Sequence, residues 1–130
     1  SEAVHLGELR LVVEASLPLS GLLRGASPRL RAIDLFSQLG VWDTEHNSGV
    51  LIYLQLVDRR VEIVADRGID AKVGQEFWDS VCQKMEAAFA AGDFENGTLL
   101  ALRTITNTLR EHFPASTENP DELPNAPLLL

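Results

Sequence analysis

Apolar runs bounded by glycine, proline and polar clusters divide the chain into strands and helices. Leu9–Leu17 (LRLVVEASL) predicts a strand, because a short apolar run with β-branched residues is typical of one. Val50–Val57 (VLIYLQLV) is apolar almost throughout and predicts a central strand that is buried on both faces. The turn Asp58–Arg60 and the run Val61–Ala65 predict the returning strand of a hairpin.

Helical periodicity fills the remaining segments. Ser27 and Pro28 predict a helix start, with a serine N-cap and a proline in the first turn, and Gly40 predicts its end. Two further helices are predicted, over Gln75–Ala91 and Glu95–His112. The apolar stripe of the first helix contains Leu30, Ala32, Ile33, Leu35, Phe36 and Leu39. The buried residues of the last helix are predicted as Leu99, Leu102, Ile105, Thr106 and Leu109.

The order of these elements, β-α-β-β-α-α, predicts an α/β fold. A strand, a crossover helix and a second strand form a parallel pair, and the hairpin makes the third strand antiparallel to the second. The expected architecture is a three-layer α/β/α sandwich with a small mixed sheet. Residues 1–114 are predicted to form one domain, and residues 115–130 a proline-rich acidic tail that lies on the surface or is disordered.

Charge and composition narrow the range of partners. Eleven basic residues against nineteen acidic ones give a net charge of −8, which disfavours nucleic acid and anionic membranes and suits cations or basic partners.

The single cysteine, Cys82, is predicted to be a packing residue rather than a nucleophile. No signal-peptide pattern and no apolar run of membrane-spanning length occurs in the sequence. The localisation therefore stays open between the cytoplasm and a membrane-peripheral position.

The predicted topology brings polar residues from three segments to one edge of the sheet, because the N-terminal ends of the parallel strands and the C-terminal end of the third strand share it. We call this set the acidic rim: Glu8, Asp43, Glu45, Asp66 and Asp70, with His5, His46, Asn47 and Arg67. Oxygen ligands without thiols suit Ca²⁺ or Mg²⁺, and the two histidines would also admit Zn²⁺ or Mn²⁺. The alternative is a solvated acidic edge without a ligand.

Several segments together resemble the core of the TPM domain family. They are the run Asn47–Ile52 (NSGVLI), the turn and strand Asp58–Ile63 (DRRVEI), the segment Asp66–Ile69 (DRGI) and the helix end Phe89–Gly97 (FAAGDFENG). The resemblance covers about residues 2–114. The family includes thylakoid-lumen and photosystem-repair proteins and many uncharacterised bacterial ones.

The resemblance carries expectations about fold and function. It implies an α/β/α sandwich, and it links the chain to divalent-cation binding, weak acid phosphatase activity and the assembly of membrane complexes. The acidic positions of the family correspond to Asp43 and Asp66 of this sequence. Here Asp66-Arg67-Gly68 stands where many members have a glycine-tyrosine-glycine turn.

Taken together, the sequence favours a binding module without catalytic activity. The module would hold Ca²⁺ or Mg²⁺ at the rim and dock a protein partner, one associated with a membrane complex among the candidates. The predicted ligands are Asp43 and Asp66 first, then Asn47, Asp70 and Glu8. The alternative is a metal-assisted phosphomonoester hydrolase at the same rim. Arg67 is the only arginine or lysine of the rim, and phosphoryl-transfer sites usually need more positive charge.

Overall fold

The computed structural model describes residues 8–17, 25, 27–114 and 128–129. Its strands are β1 (Leu9–Glu14), β2 (Val50–Gln55), β3 (Arg60–Ala65) and β4 (Leu128–Leu129). Its helices are α1 (Pro28–Gln38), α2 (Arg67–Val73), α3 (Gln75–Ala90) and α4 (Phe94–His112). The predicted elements are all found, and two were not predicted: the short helix α2 and the two-residue strand β4.

The sheet has the predicted parallel and antiparallel pairings. Its strand order is β3-β2-β1-β4. Strands β1 and β2 are parallel, in a register that runs from the pair Leu9 and Val50 to the pair Glu14 and Gln55. Strand β3 runs antiparallel to β2 and places Ala65 opposite Val50. All six residues of β2 are buried, as expected for a strand covered on both faces.

Helices cover both faces of the sheet, which confirms the three-layer α/β/α sandwich. One core joins alternate strand residues such as Ile52 and Leu54 to α3 and α4, through Trp78, Met85 and Ile105. The other core joins the opposite face of the sheet to α1. It contains Val12, Leu51, Tyr53 and Val64 from the strands and Ala32 and Leu35 from the helix. The period of two along each strand therefore supplies both cores.

Helix α1 starts as predicted, and four of the six residues of its predicted apolar stripe pack on the sheet. Ser27 caps it by accepting a hydrogen bond from the Leu30 amide at 3.2 Å. Ala32 and Leu35 are buried against the sheet and Phe36 and Leu39 pack beside them, whereas Leu30 and Ile33, the other two members of the stripe, are exposed. The inner side of the helix also makes polar contacts, which are described with the site below.

Two other expectations change. Leu99 of α4 was predicted to be buried and is 37% exposed. Leu128 and Leu129 of the predicted tail pair in parallel with Val12 and Val13 on the free edge of β1. The division of the chain at residue 114 stays a prediction. Among the described helices, none combines the length and hydropathy needed to cross a membrane.

Candidate functional site: the acidic rim

Backbone hydrogen bonds bring the three rim segments together. The Glu8 carbonyl accepts a hydrogen bond from the Val50 amide at 2.9 Å, and the Gly49 carbonyl accepts one from the Asp66 amide at 2.9 Å. Glu8, the loop that ends at Gly49 and the start of α2 therefore lie at one edge of the sheet, as the topology predicted.

The loop before β2 is fastened to the first turn of α2. The Asn47 carbonyl accepts hydrogen bonds from the Gly68 amide at 2.8 Å and the Ile69 amide at 3.2 Å. A Cβ atom on Gly68 would overlap the carbonyl oxygens of His46 and Asn47, so only glycine allows this approach. The two loops of the rim are therefore packed against each other as one unit.

Glu8 is a buried part of this unit rather than an open ligand. It is 2% exposed, and its carboxylate accepts a hydrogen bond from the Ser48 hydroxyl. The Ser48 amide in turn donates to the Thr44 hydroxyl at 2.9 Å. The Glu8 side chain thus holds the loop against β1, which is a structural use of a residue predicted to bind metal.

Asp66 and Asp70 also take part in local hydrogen bonds. Asp66 caps α2, because its Oδ1 accepts a hydrogen bond from the Arg67 amide at 2.7 Å. The Oδ1 of Asp70 accepts one from the Trp78 indole at 2.9 Å, which fastens α2 to α3. Each of these carboxylates keeps a second oxygen for another ligand.

The outward-facing residues of the rim are Asp43, Glu45, His46 and Arg67. Asp43 and Arg67 are exposed. The Nε2 atom of His46 lies 3.8 Å from an Oε2 atom of Glu45, an exposed contact that becomes an ion pair when the imidazole is protonated. The His46 ring stacks on Phe113, with ring centroids 5.7 Å apart. His5 lies outside the described residues.

The donor set does not amount to a preformed metal centre. Across the described residues, no three His, Cys, Asp or Glu side chains are grouped closely enough to hold an ion. Asp43 and the second oxygen of Asp66 are the carboxylate donors that are least committed to the fold. Such a set suits a hard cation that keeps most of its water ligands.

A buried ionic cluster at the opposite end of the sheet was not predicted from the sequence. Glu14 ends β1 and is 3% exposed. The Nε atom of Arg31 donates to Glu14 Oε1 at 3.1 Å, and Arg31 Nη2 donates to Oε2 at 2.7 Å. The Tyr53 hydroxyl donates to Oε1 at 2.7 Å. The cluster ties α1 to both parallel strands.

The cluster determines the protonation of its members. Burial alone would raise the pKa of Glu14, but hydrogen bonds from Arg31 and Tyr53 and the charge of Arg31 outweigh it and leave the pKa below its ordinary value. Burial and the hydrogen bond to Glu14 raise the pKa of Tyr53 above its ordinary range. The group is therefore a carboxylate-guanidinium pair with a neutral phenol. In the sequence, the signals for this cluster were the two strand residues with polar groups, Glu14 and Tyr53, which lie within apolar runs.

Cys82 has the properties of a packed thiol. It is partly buried, and burial, with carboxylates such as Glu62 nearby, raises the pKa of its thiol to about 12. Because the thiolate is the nucleophile, the raised pKa disfavours reaction of this thiol near neutral pH.

The comparisons with known proteins decide the family. The family model described as the TPM domain matches residues 2–108. The chain belongs to the TPM domain family. The match takes in both the acidic rim and the Glu14 cluster, so these are features of the TPM domain portion of the chain. No curated protein matches the chain.

Two solved structures have the same TPM fold. One is the NMR structure of the BA42 protein from the psychrophilic bacterium Bizionia argentinensis, with a TM-score of 0.78 and 28% identity over 94% of this chain and 79% of that one. The other is the solution NMR structure of the N-terminal domain of a protein from P. gingivalis. It has a TM-score of 0.66 and 21% identity, and the match covers 84% of this chain and 66% of that one. The second likeness concerns the fold alone.

Proposed function

We propose that this TPM domain is a binding module without catalytic activity, which holds a divalent cation weakly at the acidic rim and docks a protein partner. The observation that supports it is the fastening of the two rim loops. The paired hydrogen bonds from Gly68 and Ile69 to the Asn47 carbonyl join the loop that carries Asp43 to the first turn of α2, which Asp66 caps. A cation held there would draw on these two carboxylates and on water.

The hydrolase alternative has less support. Three of the rim carboxylates, on Glu8, Asp66 and Asp70, are hydrogen-bond acceptors within the fold. The rim has one guanidinium, on Arg67, to neutralise a phosphate dianion. Each unit of like charge at about 4–6 Å costs on the order of 3–4 kcal/mol at an effective dielectric near 20, so an acidic rim disfavours phosphate.

Melting curves in rising CaCl₂ or MgCl₂ test the cation. With a Kd of about 1 mM, a salt concentration of about 10 mM stabilises the native state by about 1.4 kcal/mol and raises Tm by a few degrees. Asp43→Asn and Asp66→Asn should each remove most of that rise. Asparagine remains a good N-cap at position 66, so helix α2 is preserved.

Asp58→Asn is the matched control, because Asp58 is exposed at the opposite end of the sheet and its loss changes the net charge equally. A rise in Tm that Asp58→Asn removes as effectively as Asp43→Asn would indicate charge screening and contradict a site at the rim. The same holds if choline chloride at equal ionic strength reproduces the rise.

A further inference from the structure

The outer face of α1 carries an exposed apolar row. Leu30 and Ile33 lie one turn apart and are 54% and 43% exposed. Trp42, also 54% exposed, donates its indole N–H to the Ser37 carbonyl at 3.2 Å, one turn beyond Ile33. The row therefore follows the helix and ends beside the acidic rim. We call Leu30, Ile33 and Trp42 the α1 stripe.

Among the described residues, the charges beside the α1 stripe that lack an ion-pair partner are acidic. Of the cations of the helix, Arg31 pairs with buried Glu14. The Arg29 side chain is 50% exposed, donates to a backbone carbonyl of β3 and lies 3.7 Å from a carboxylate oxygen of Glu62, which balances its charge. In the part of the chain that the structure describes, the other ionic residues along the stripe are Asp34, on α1 between the exposed positions, and Asp43, next to Trp42; both are exposed. The negative end of the helix dipole adds to this field.

We propose that the α1 stripe docks a basic amphipathic helix of a protein partner. This inference rests on the proposed function, because it names the partner class of the same module. An apolar row at helical spacing fits the apolar face of a second helix, and lysine or arginine beside that face would meet Asp34 and Asp43.

The same charges disfavour the other occupants. Two copies of this chain joined through the stripe would oppose their own Asp34 and Asp43 side chains. An anionic bilayer would be repelled by them and by the net charge of −8. Three side chains present less surface than the about 800 Å² per partner of a standard interface, so we expect transient, micromolar binding.

A synthetic amphipathic peptide of leucine and lysine at helical spacing is the probe, and the same peptide with glutamate for lysine is its counterpart. Trp42 fluorescence reports binding, because Trp78 is 3% exposed and supplies a constant background. The lysine peptide should shift the emission to the blue and saturate, whereas the glutamate peptide should not. Ile33→Ser should weaken binding about tenfold, and Asp34→Asn with Asp43→Asn should reduce its salt dependence.

Leu100→Ser is the matched control, because Leu100 on α4 is as exposed as Leu30, at 54%. It should leave the affinity unchanged, and all variants should keep the parent Tm, since these residues are exposed. Equal weakening by Leu100→Ser and Ile33→Ser would overturn the proposal. So would the absence of binding at millimolar peptide, a dimer that Ile33→Ser dissociates, or preferential binding to phosphatidylserine vesicles.

Repeating the titration with EDTA separates this inference from the proposed cation. If the lysine peptide binds saturably in EDTA and the variants change its binding as expected, the docking surface is supported whether or not the rim binds a metal ion. A cation-dependent rise in Tm without peptide binding would refute the docking surface and leave the cation proposal standing.

Discussion

Replacing Glu14 by glutamine should lower stability more than any other single loss of a carboxylate from the sheet. Removing one partner of a buried ion pair costs about 3–5 kcal/mol when the other charge stays buried. The Arg31 side chain is 21% exposed and can regain water, so we expect about 2–3 kcal/mol. At about 3–5 °C per kcal/mol for a chain of this size, Tm should fall by about 6–15 °C.

The pH dependence gives this prediction a second readout. The pKa of Glu14 is lower in the folded protein than in the unfolded chain. Its contribution is therefore complete above the ordinary glutamate pKa and is lost as pH falls through the folded value. The gap in unfolding free energy between the parent and Glu14→Gln should narrow as pH falls from about 6 to about 3. Other carboxylates titrate in both proteins and cancel in the difference.

Urea unfolding of the parent protein and of the Glu14→Gln, Tyr53→Phe and Glu62→Gln variants measures the change in the free energy of unfolding. Tyr53→Phe removes one hydrogen bond to the carboxylate and should cost about 1–2 kcal/mol. Glu62→Gln is the control, because Glu62 lies 3.7 Å from Arg29 and 3.6 Å from Arg60 in partly exposed pairs, and should cost under about 1 kcal/mol. If Glu14→Gln costs no more than Glu62→Gln, or if the gap is constant across pH, the cluster does not tether α1 to the sheet.

Three further predictions concern the rim and the thiol. Gly68→Ala should destabilise the fold by about 1–3 kcal/mol in urea, because the new methyl group overlaps two loop carbonyls; an unchanged midpoint would contradict that contact. Cys82 should react with iodoacetamide at about pH 8 only after unfolding, and rapid labelling of the native protein would refute its raised pKa. Aryl phosphate should not be hydrolysed at about pH 5–8 with or without divalent cation; metal-dependent turnover that both Asp43→Asn and Asp66→Asn abolish, at unchanged Tm, would establish the hydrolase instead.

The layers of the fold could be predicted because periodicity reports burial directly. The unbroken apolar run from Val50 marked the central strand, and the Ser27-Pro28 start marked α1. The pairing of strands then followed from the handedness of the crossover and the short hairpin. These features depend on the local sequence and on general rules for how consecutive strands and helices are connected.

The side of α1 that faces the sheet was only partly predicted from the same pattern. Leu30 and Ile33 are as apolar as Leu35, but they lie on the other side of the helix from the four residues that pack on the sheet, and the inward side also carries the contact of Arg31 with Glu14, a residue seventeen positions earlier. Such a contact exists only once the sheet has formed. The short helix α2 was missed for a related reason, since its seven residues are held by the Asp66 cap and by the Asn47 carbonyl rather than by an apolar stripe.

The location of the rim was predictable and the use of its side chains was not. Topology placed Glu8 and Asp66 at one edge, because strand direction determines where strand ends lie. Whether a carboxylate binds a ligand or holds a loop depends on neighbours a few ångströms away. The Ser48 hydroxyl on Glu8 and the Trp78 indole on Asp70 come from segments that the pattern treats as a loop and a core helix.

An NMR titration of the ¹⁵N-labelled protein with CaCl₂ and MgCl₂ tests the central claim most directly, because each backbone amide reports its own surroundings. Weak cation binding at the rim predicts saturable shifts concentrated in the amides of residues 43–49 and 66–70, with those of the turn around Asp58 and of the Glu14 cluster unchanged. Shifts that spread evenly over acidic surface residues and grow without saturation would contradict the account, as would no shift in the rim at all.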